Sequence, residues 1–215
     1  MLFTMFLVSC GDYEYVRFES AQPSGVKASQ SFNKKMKGAY RNCSNSDDQI
    51  IISDRLILNL RKFKFKSHRN DLEFDSSITV NKNKDAELIS LLTSKGYDIE
   101  IYGDTIKGSI TNTDTIFQIS DNQVLKKFKG NYFLNYRAGE KFWKVNSLNR
   151  NKDTLFIGQI SPSDSLLRYD FVVKHEEFDD STQKTTTDYA LNPSKKEFKE
   201  LMKSNSFDVW ECYCK

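Results

Sequence analysis

Two stretches of this sequence occur twice, in the same order. Lys34-Lys35-Met36-Lys37-Gly38-Ala39-Tyr40 returns as Lys126-Lys127-Phe128-Lys129-Gly130-Asn131-Tyr132, with five of seven positions identical. Leu91-Leu92-Thr93-Ser94-Lys95-Gly96-Tyr97-Asp98-Ile99 lines up with Leu201-Met202-Lys203-Ser204-Asn205-Ser206-Phe207-Asp208-Val209. The offsets are 92 and 110, so the second copy carries 18 extra residues between the matches. Self-similarity in a fixed order marks repeated structural units. The expectation is a tandem duplication, with one unit over 32–120 and another over 121–215.

Residue patterning gives each unit the same kind of content. Over 83–94, Leu88, Leu91 and Leu92 recur at helical spacing, with Asn83 or Asp85 as N-cap and Gly96 just past the end. In the second unit, Asn192-Pro193 offers an N-cap and a proline in the first turn, and Phe198, Leu201 and Met202 form the apolar stripe. Each helix runs directly into a strand, 97–102 and 207–214. The segment 61–66 alternates strictly, placing Phe63 and Phe65 on one face and Lys62, Lys64 and Lys66 on the other. Further strands are expected over 49–52, 54–60, 105–111, 115–120, 142–148, 154–160 and 166–175, with turns at Gly103-Asp104, 112–114 and 149–153. The fold class that follows is mainly β (α+β). It is built of antiparallel meander sheets or barrel-like units, with one short helix per repeat.

The start of the chain carries a different signal. Residues 1–9 are uncharged and apolar except for Thr4 and Ser9, and the character turns polar abruptly after Cys10. Such a run is less than half of what spans a hydrocarbon core, so it reads as the apolar region of a signal peptide. Leu7-Val8-Ser9-Cys10 resembles the bacterial lipobox. In that family the cysteine thiol receives diacylglycerol, the chain is cut before it and the new amine is often acylated. The resemblance implies residues 1–9 as signal peptide and Cys10 as the lipidated first residue of the mature chain. A signal peptide normally opens with Lys or Arg, and none is present, so the expectation includes a few basic residues upstream of Met1. Two or more acyl chains make attachment stable without other membrane contact. Residues 10–31 are polar, carry Pro23-Ser24-Gly25, and read as a lipid-anchored tether.

A formal net charge of +3 on 61 charged groups argues against a nucleic-acid binder, whose basic stripe would dominate the count. Three cysteines remain beside Cys10. Cys212 and Cys214 share one face of a strand, and either reaches Cys43 if the last strand lies beside the first strand of the domain. The alternatives are a structural disulfide, buried thiols, and a metal or redox use for which a lone Cys-x-Cys is weak evidence. His68 and His175 are the two histidines, with no second histidine at ligand spacing, so neither a metal nor another cofactor is expected. No nucleophile elbow, phosphate loop or calcium loop occurs. The lysine clusters at 34–37 and 126–129 read as solvent-side lysines guarding strand edges. Tyr132, Phe133, Tyr136, Phe142 and Trp143 read as core.

The lipobox, the acidic residues after it, the Asn/Lys/Ser-rich composition and the Lys-Gly-x-Tyr opening of a meander together resemble small lipoproteins of Bacteroidota-type Gram-negative bacteria. That resemblance implies an outer-membrane address and no activity. The leading expectation is a non-enzymatic binding module held at the envelope, meeting a protein or glycan partner. A lipocalin-like carrier of an apolar ligand and a carboxylate-dependent envelope hydrolase are the alternatives.

Overall fold

The computed structural model describes residues 13–72, 81, 84–181, 183–204 and 206–215. Residues 1–12, which carry the lipobox-like Leu7-Val8-Ser9-Cys10, and Asn83 lie outside that set. In chain order the strands and helices are β1 (Tyr13–Phe18), β2 (Gly38–Asn42), β3 (Asp48–Ile52), β4 (Leu56–His68), α1 (Asp85–Ser94), β5 (Tyr97–Tyr102), β6 (Thr105–Gln118), β7 (Gln123–Phe128), β8 (Asn131–Ala138), β9 (Phe142–Asn151), β10 (Thr154–Ile160), β11 (Val172–Asp179), β12 (Lys184–Leu191), α2 (Lys195–Lys203) and β13 (Phe207–Cys214). The protein is mainly β, with antiparallel pairings predominating. It divides into two compact units, one of residues up to Ser31 with Ile119–Cys212, the other of Phe32–Gln118 with Tyr213–Lys215.

In the first unit the strand order is β11-β12-β1-β9-β10-β13, and β7 and β8 extend from the other edge of β9. The core gathers Phe18, Phe133, Trp143, Tyr189 and Leu191 around Phe198 and Leu201 of α2. Phe198 meets Phe133 edge-on at 4.9 Å between ring centroids, and Phe18 and Phe207 at 6.3 and 5.9 Å. The helix starts two residues later than Asn192 suggests. Ser194 is the N-cap and Glu197 completes a capping box with it, because both satisfy backbone N–H groups of the first turn.

The expected tether is largely absorbed into this unit. β1 pairs in parallel with β12, from Tyr13 opposite Thr186 to Phe18 opposite Leu191. The chain stays fixed beyond the strand. Gln22 is fully buried, its N–H donating to Asn135 Oδ1 at 2.5 Å, while Asn135 Nδ2 donates to Gln22 O at 2.9 Å. Lys126 is half-buried and donates to the carbonyls of Ala21 and Pro23 at 2.6 and 3.0 Å, so it is not a solvent-side edge lysine. Its removal from water holds its pKa below the ordinary lysine value. The expected strand 166–175 also splits. Asp164–Arg168 forms a 3-10 turn capped by Ser163, and the strand begins at Val172.

In the second unit the order is β2-β3-β4-β6-β5, opening with the expected meander, and Tyr213 and Cys214 of β13 pair beside β2. β4 and β6 form a long hairpin-like ladder from Leu56 opposite Gln118 to His68 opposite Thr105. Asn112, Thr113 and Asp114 pair with Arg61, Leu60 and Asn59 inside it, so the turn expected at 112–114 does not occur. A partner strand of matching length overrides the local turn preference of Asn and Asp. α1 covers one face, where Leu88, Leu92 and Ile106 are buried against Phe65, Tyr97 and Ile99. Gly108 lies opposite both Phe65 and Ile99, and a Cβ there would come within 2.5 Å of each side chain. Phe63 shares the face of Phe65 yet is 51% exposed.

The repeated segments occupy partly different structure. Lys129 and Gly130, at φ 50° and 88°, form the two-residue turn between β7 and β8, whereas Lys37-Gly38 leads into β2. The step from helix into strand is common to both, α1 into β5 and α2 into β13.

Candidate functional site

The most developed site of the second unit lies on the face of β4, β6 and β5 that carries the lysines. Strand alternation puts Lys62, Lys64 and Lys66 on it, because Phe63 and Phe65 take the other side. Pairing adds the rest. Lys64 lies opposite Ser109, which lies opposite Asp98; Lys66 lies opposite Lys107, which lies opposite Glu100. These side chains surround an open cleft of about 480 Å³. That volume is in the range of small-ligand sites, about 300–1,000 Å³.

The charges on this face are mixed. Lys64 Nζ is 2.7 Å from Asp47, and Lys62 Nζ is 4.0 Å from Asp98. Tyr102 donates to Glu100 Oε2 at 2.8 Å, and that carboxylate raises the tyrosine pKa. Lys107 Nζ sits 5.0 Å from the centre of the Tyr102 ring. Exposed pairs of this kind are worth about 1 kcal/mol or less, so a ligand's hydrogen bonds can replace them at little cost. Ammonium donors, carboxylate acceptors and the Ser109 hydroxyl, set on strands about 4.8 Å apart, suit a hydrated ligand with several hydroxyl or charged groups.

The arrangement is poorly made for acid–base catalysis. Asp98 and Glu100 are two residues apart on one strand, hence about 7 Å, within the span of paired glycosidase carboxylates. A general acid, however, needs a desolvated carboxyl, and the Asp98 side chain is 83% exposed. Charged side chains line most of the cleft, with Phe65 as its aromatic member, unlike the predominantly apolar pocket of a carrier.

A smaller cleft of about 250 Å³ in the first unit is bordered by Glu14, Arg17, Lys144 and Gln159. Arg17 is committed elsewhere, donating from Nε and Nη2 to the two carboxylate oxygens of the buried Asp188, with its guanidinium 4.2 Å from the Phe142 ring centre. The hydrogen bond from Arg17 to Asp188 raises the arginine's pKa. In the same unit, Asp164 joins Lys174 at 2.9 Å and Tyr189 Oη at 2.8 Å, contacts that hold its pKa below the usual carboxylate value.

Cys10 lies outside the described residues. Cys43 and Cys214 meet in the second unit with their sulfurs 2.7 Å apart, both exposed, while Cys212 is half-buried. His68 is exposed at the end of β4 and accepts from the N–H of Asn70; His175 is exposed in the middle of β11. Among the described residues no group of three or more His, Cys, Asp or Glu side chains is placed to hold a metal ion. The cleft went unrecognised in the sequence because Lys107, Asp98 and Glu100 reach the lysine stripe only through strand register. No family model, curated protein or solved structure matches the chain.

Proposed function

We propose that this is an exported protein, fastened by acyl chains on Cys10 to the outer membrane of a Gram-negative envelope. There it acts as a non-enzymatic binding module, and the β4–β6–β5 cleft takes a sugar segment of an envelope glycan. The observation that carries the binding reading is the cleft itself. Its size fits a small ligand, and its lining of Lys66, Lys107, Ser109, Asp98 and Glu100 offers donors and acceptors beside an apolar patch at Phe65 and Gly108. Protein hot spots are usually buried aromatic or arginine anchors, and among the described residues this lining holds a single aromatic, Phe65, and no arginine. The lipobox-like Leu7-Val8-Ser9-Cys10 supports the anchor.

Two experiments test the reading. Mass spectrometry of the N-terminal peptide from the native host should show acylated Cys10 as first residue; an unmodified peptide carrying residues 1–9 sinks the anchor. Titration of the purified protein with soluble envelope oligosaccharides should give saturable binding that Lys66→Glu with Lys107→Glu weakens. A protein captured from intact envelopes by the wild type and the double variant alike would replace the glycan reading. Duplication is supported by the shared helix-to-strand step, with the unlike settings of the Lys-Gly segments standing against it; superposition of the two units decides.

A further inference from the structure

We infer that Cys43 and Cys214 are joined by a disulfide in the exported protein, forming a clasp between the ends of β2 and β13. β13 joins β2 through two register pairs, Tyr213 with Asn42 and Cys214 with Arg41. Cys43 follows β2 just beyond the Asn42–Tyr213 pair, and Cys214 faces Arg41 at the other end, so in this antiparallel register the two side chains share a face and meet diagonally across the short ladder. Their sulfurs approach to 2.7 Å, inside the contact distance of two unbonded sulfur atoms. Both residues are exposed and so accessible to an oxidant.

The position gives the bond a purpose. Tyr213 is fully buried in the second unit, and Lys215 lies with its Nζ 5.6 Å from the ring centre of buried Tyr40. Residues 213–215 therefore complete this unit, yet two register pairs are a thin hold against fraying. A covalent link between residues 171 apart in sequence also removes much of the freedom of the unfolded chain.

The oxidant is a protein disulfide donor, of the dithiol–disulfide class that acts on exported chains. One cysteine thiolate attacks the donor disulfide, forming a mixed disulfide as the other donor sulfur leaves as thiolate. The second cysteine thiolate then attacks the protein sulfur and releases the donor. Two electrons pass to the donor, and the two protons lost by the cysteines end on its thiols. The oxidising compartment rests on the proposal of export; the geometry does not.

The test uses the full chain, prepared from its host without reductant and treated with N-ethylmaleimide under denaturing conditions. Peptide mass spectrometry should find Cys43 and Cys214 in joined peptides and maleimide on Cys212. Cys212→Ser should leave the link intact, and Cys214→Ser should free Cys43 for alkylation. Maleimide on Cys43 and Cys214 in the wild type overturns the proposal, as does a link lost in Cys212→Ser and kept in Cys214→Ser. A second arm titrates reduced protein with oxidised glutathione and assigns the cause of a failure. Prompt bridging there after a reduced native sample points to the compartment, and no bridging points to the geometry. Cys10 is read on its own peptide, so loss of the lipid reading registers separately.

Discussion

Replacing Asn135 with alanine should destabilise the first unit by about 3–5 kcal/mol. The side chain is fully buried and makes four hydrogen bonds: it accepts from Gln22 N–H and donates to the carbonyls of Gln22, Val124 and Phe133. Its two amide hydrogens serve three carbonyls, so the donor side counts as roughly two full bonds, each worth about 1 kcal/mol net. The Gln22 N–H would also be left buried without a partner, at a further cost of about 1–3 kcal/mol. Both tryptophans, Trp143 and Trp210, lie in this unit, so fluorescence-detected urea unfolding reports on it. With a slope near ~1.5 kcal/mol/M, the midpoint should fall by about 2–3 M. Amide exchange at 20–25 should accelerate in parallel. A midpoint within about 0.5 M of the parent would refute the reasoning, and would mean that this segment is after all a spacer.

Phe198→Ala removes the ring at the centre of three aromatic contacts and should cost about 3–5 kcal/mol by the same assay. Gly108→Ala places a methyl against Phe65 and Ile99 and should cost about 1–3 kcal/mol, measured by unfolding followed through near-ultraviolet tyrosine dichroism. Contacts with Lys174 and Tyr189 hold the Asp164 carboxyl below the ordinary aspartate value, so its stabilising contribution is present above the unfolded pKa and is lost as pH falls through the lower folded value. Urea midpoints followed below pH 4 should therefore drop less steeply in Asp164→Asn than in the parent, and identical slopes would count against the pairing. The Lys66→Glu, Lys107→Glu double variant should keep its thermal midpoint while losing at least about tenfold in oligosaccharide affinity, measured by calorimetry.

What could be read from the sequence depended on whether a residue's setting was local. The alternation over 61–66 assigns Lys62, Lys64 and Lys66 to one face by period alone, and Gly96 marks the end of α1 by its positive φ. The Ser194 cap was equally local, with Glu197 three residues on, and was missed because Asn192-Pro193 offered a competing start. By contrast, the straight passage of β6 through Asn112–Asp114 depends on a partner more than forty residues away. β1 escaped notice because its partner, β12, lies at the far end of the chain and makes a parallel pair, which no hairpin signal announces. Lys62, Lys64 and Lys66 of the cleft were legible; Lys107 and the carboxylates belong to a register that only folding sets.

The placement of β1 has a mechanical consequence. Three peptide steps separate Cys10 from Tyr13, a reach of at most about 11 Å, so acyl chains on Cys10 would moor the first unit close to the bilayer surface. Any pull between the bilayer and that unit would then run along β1, whose six register pairs with β12 are loaded together in shear rather than opened one after another. An anchor attached at that point is held by the whole strand at once.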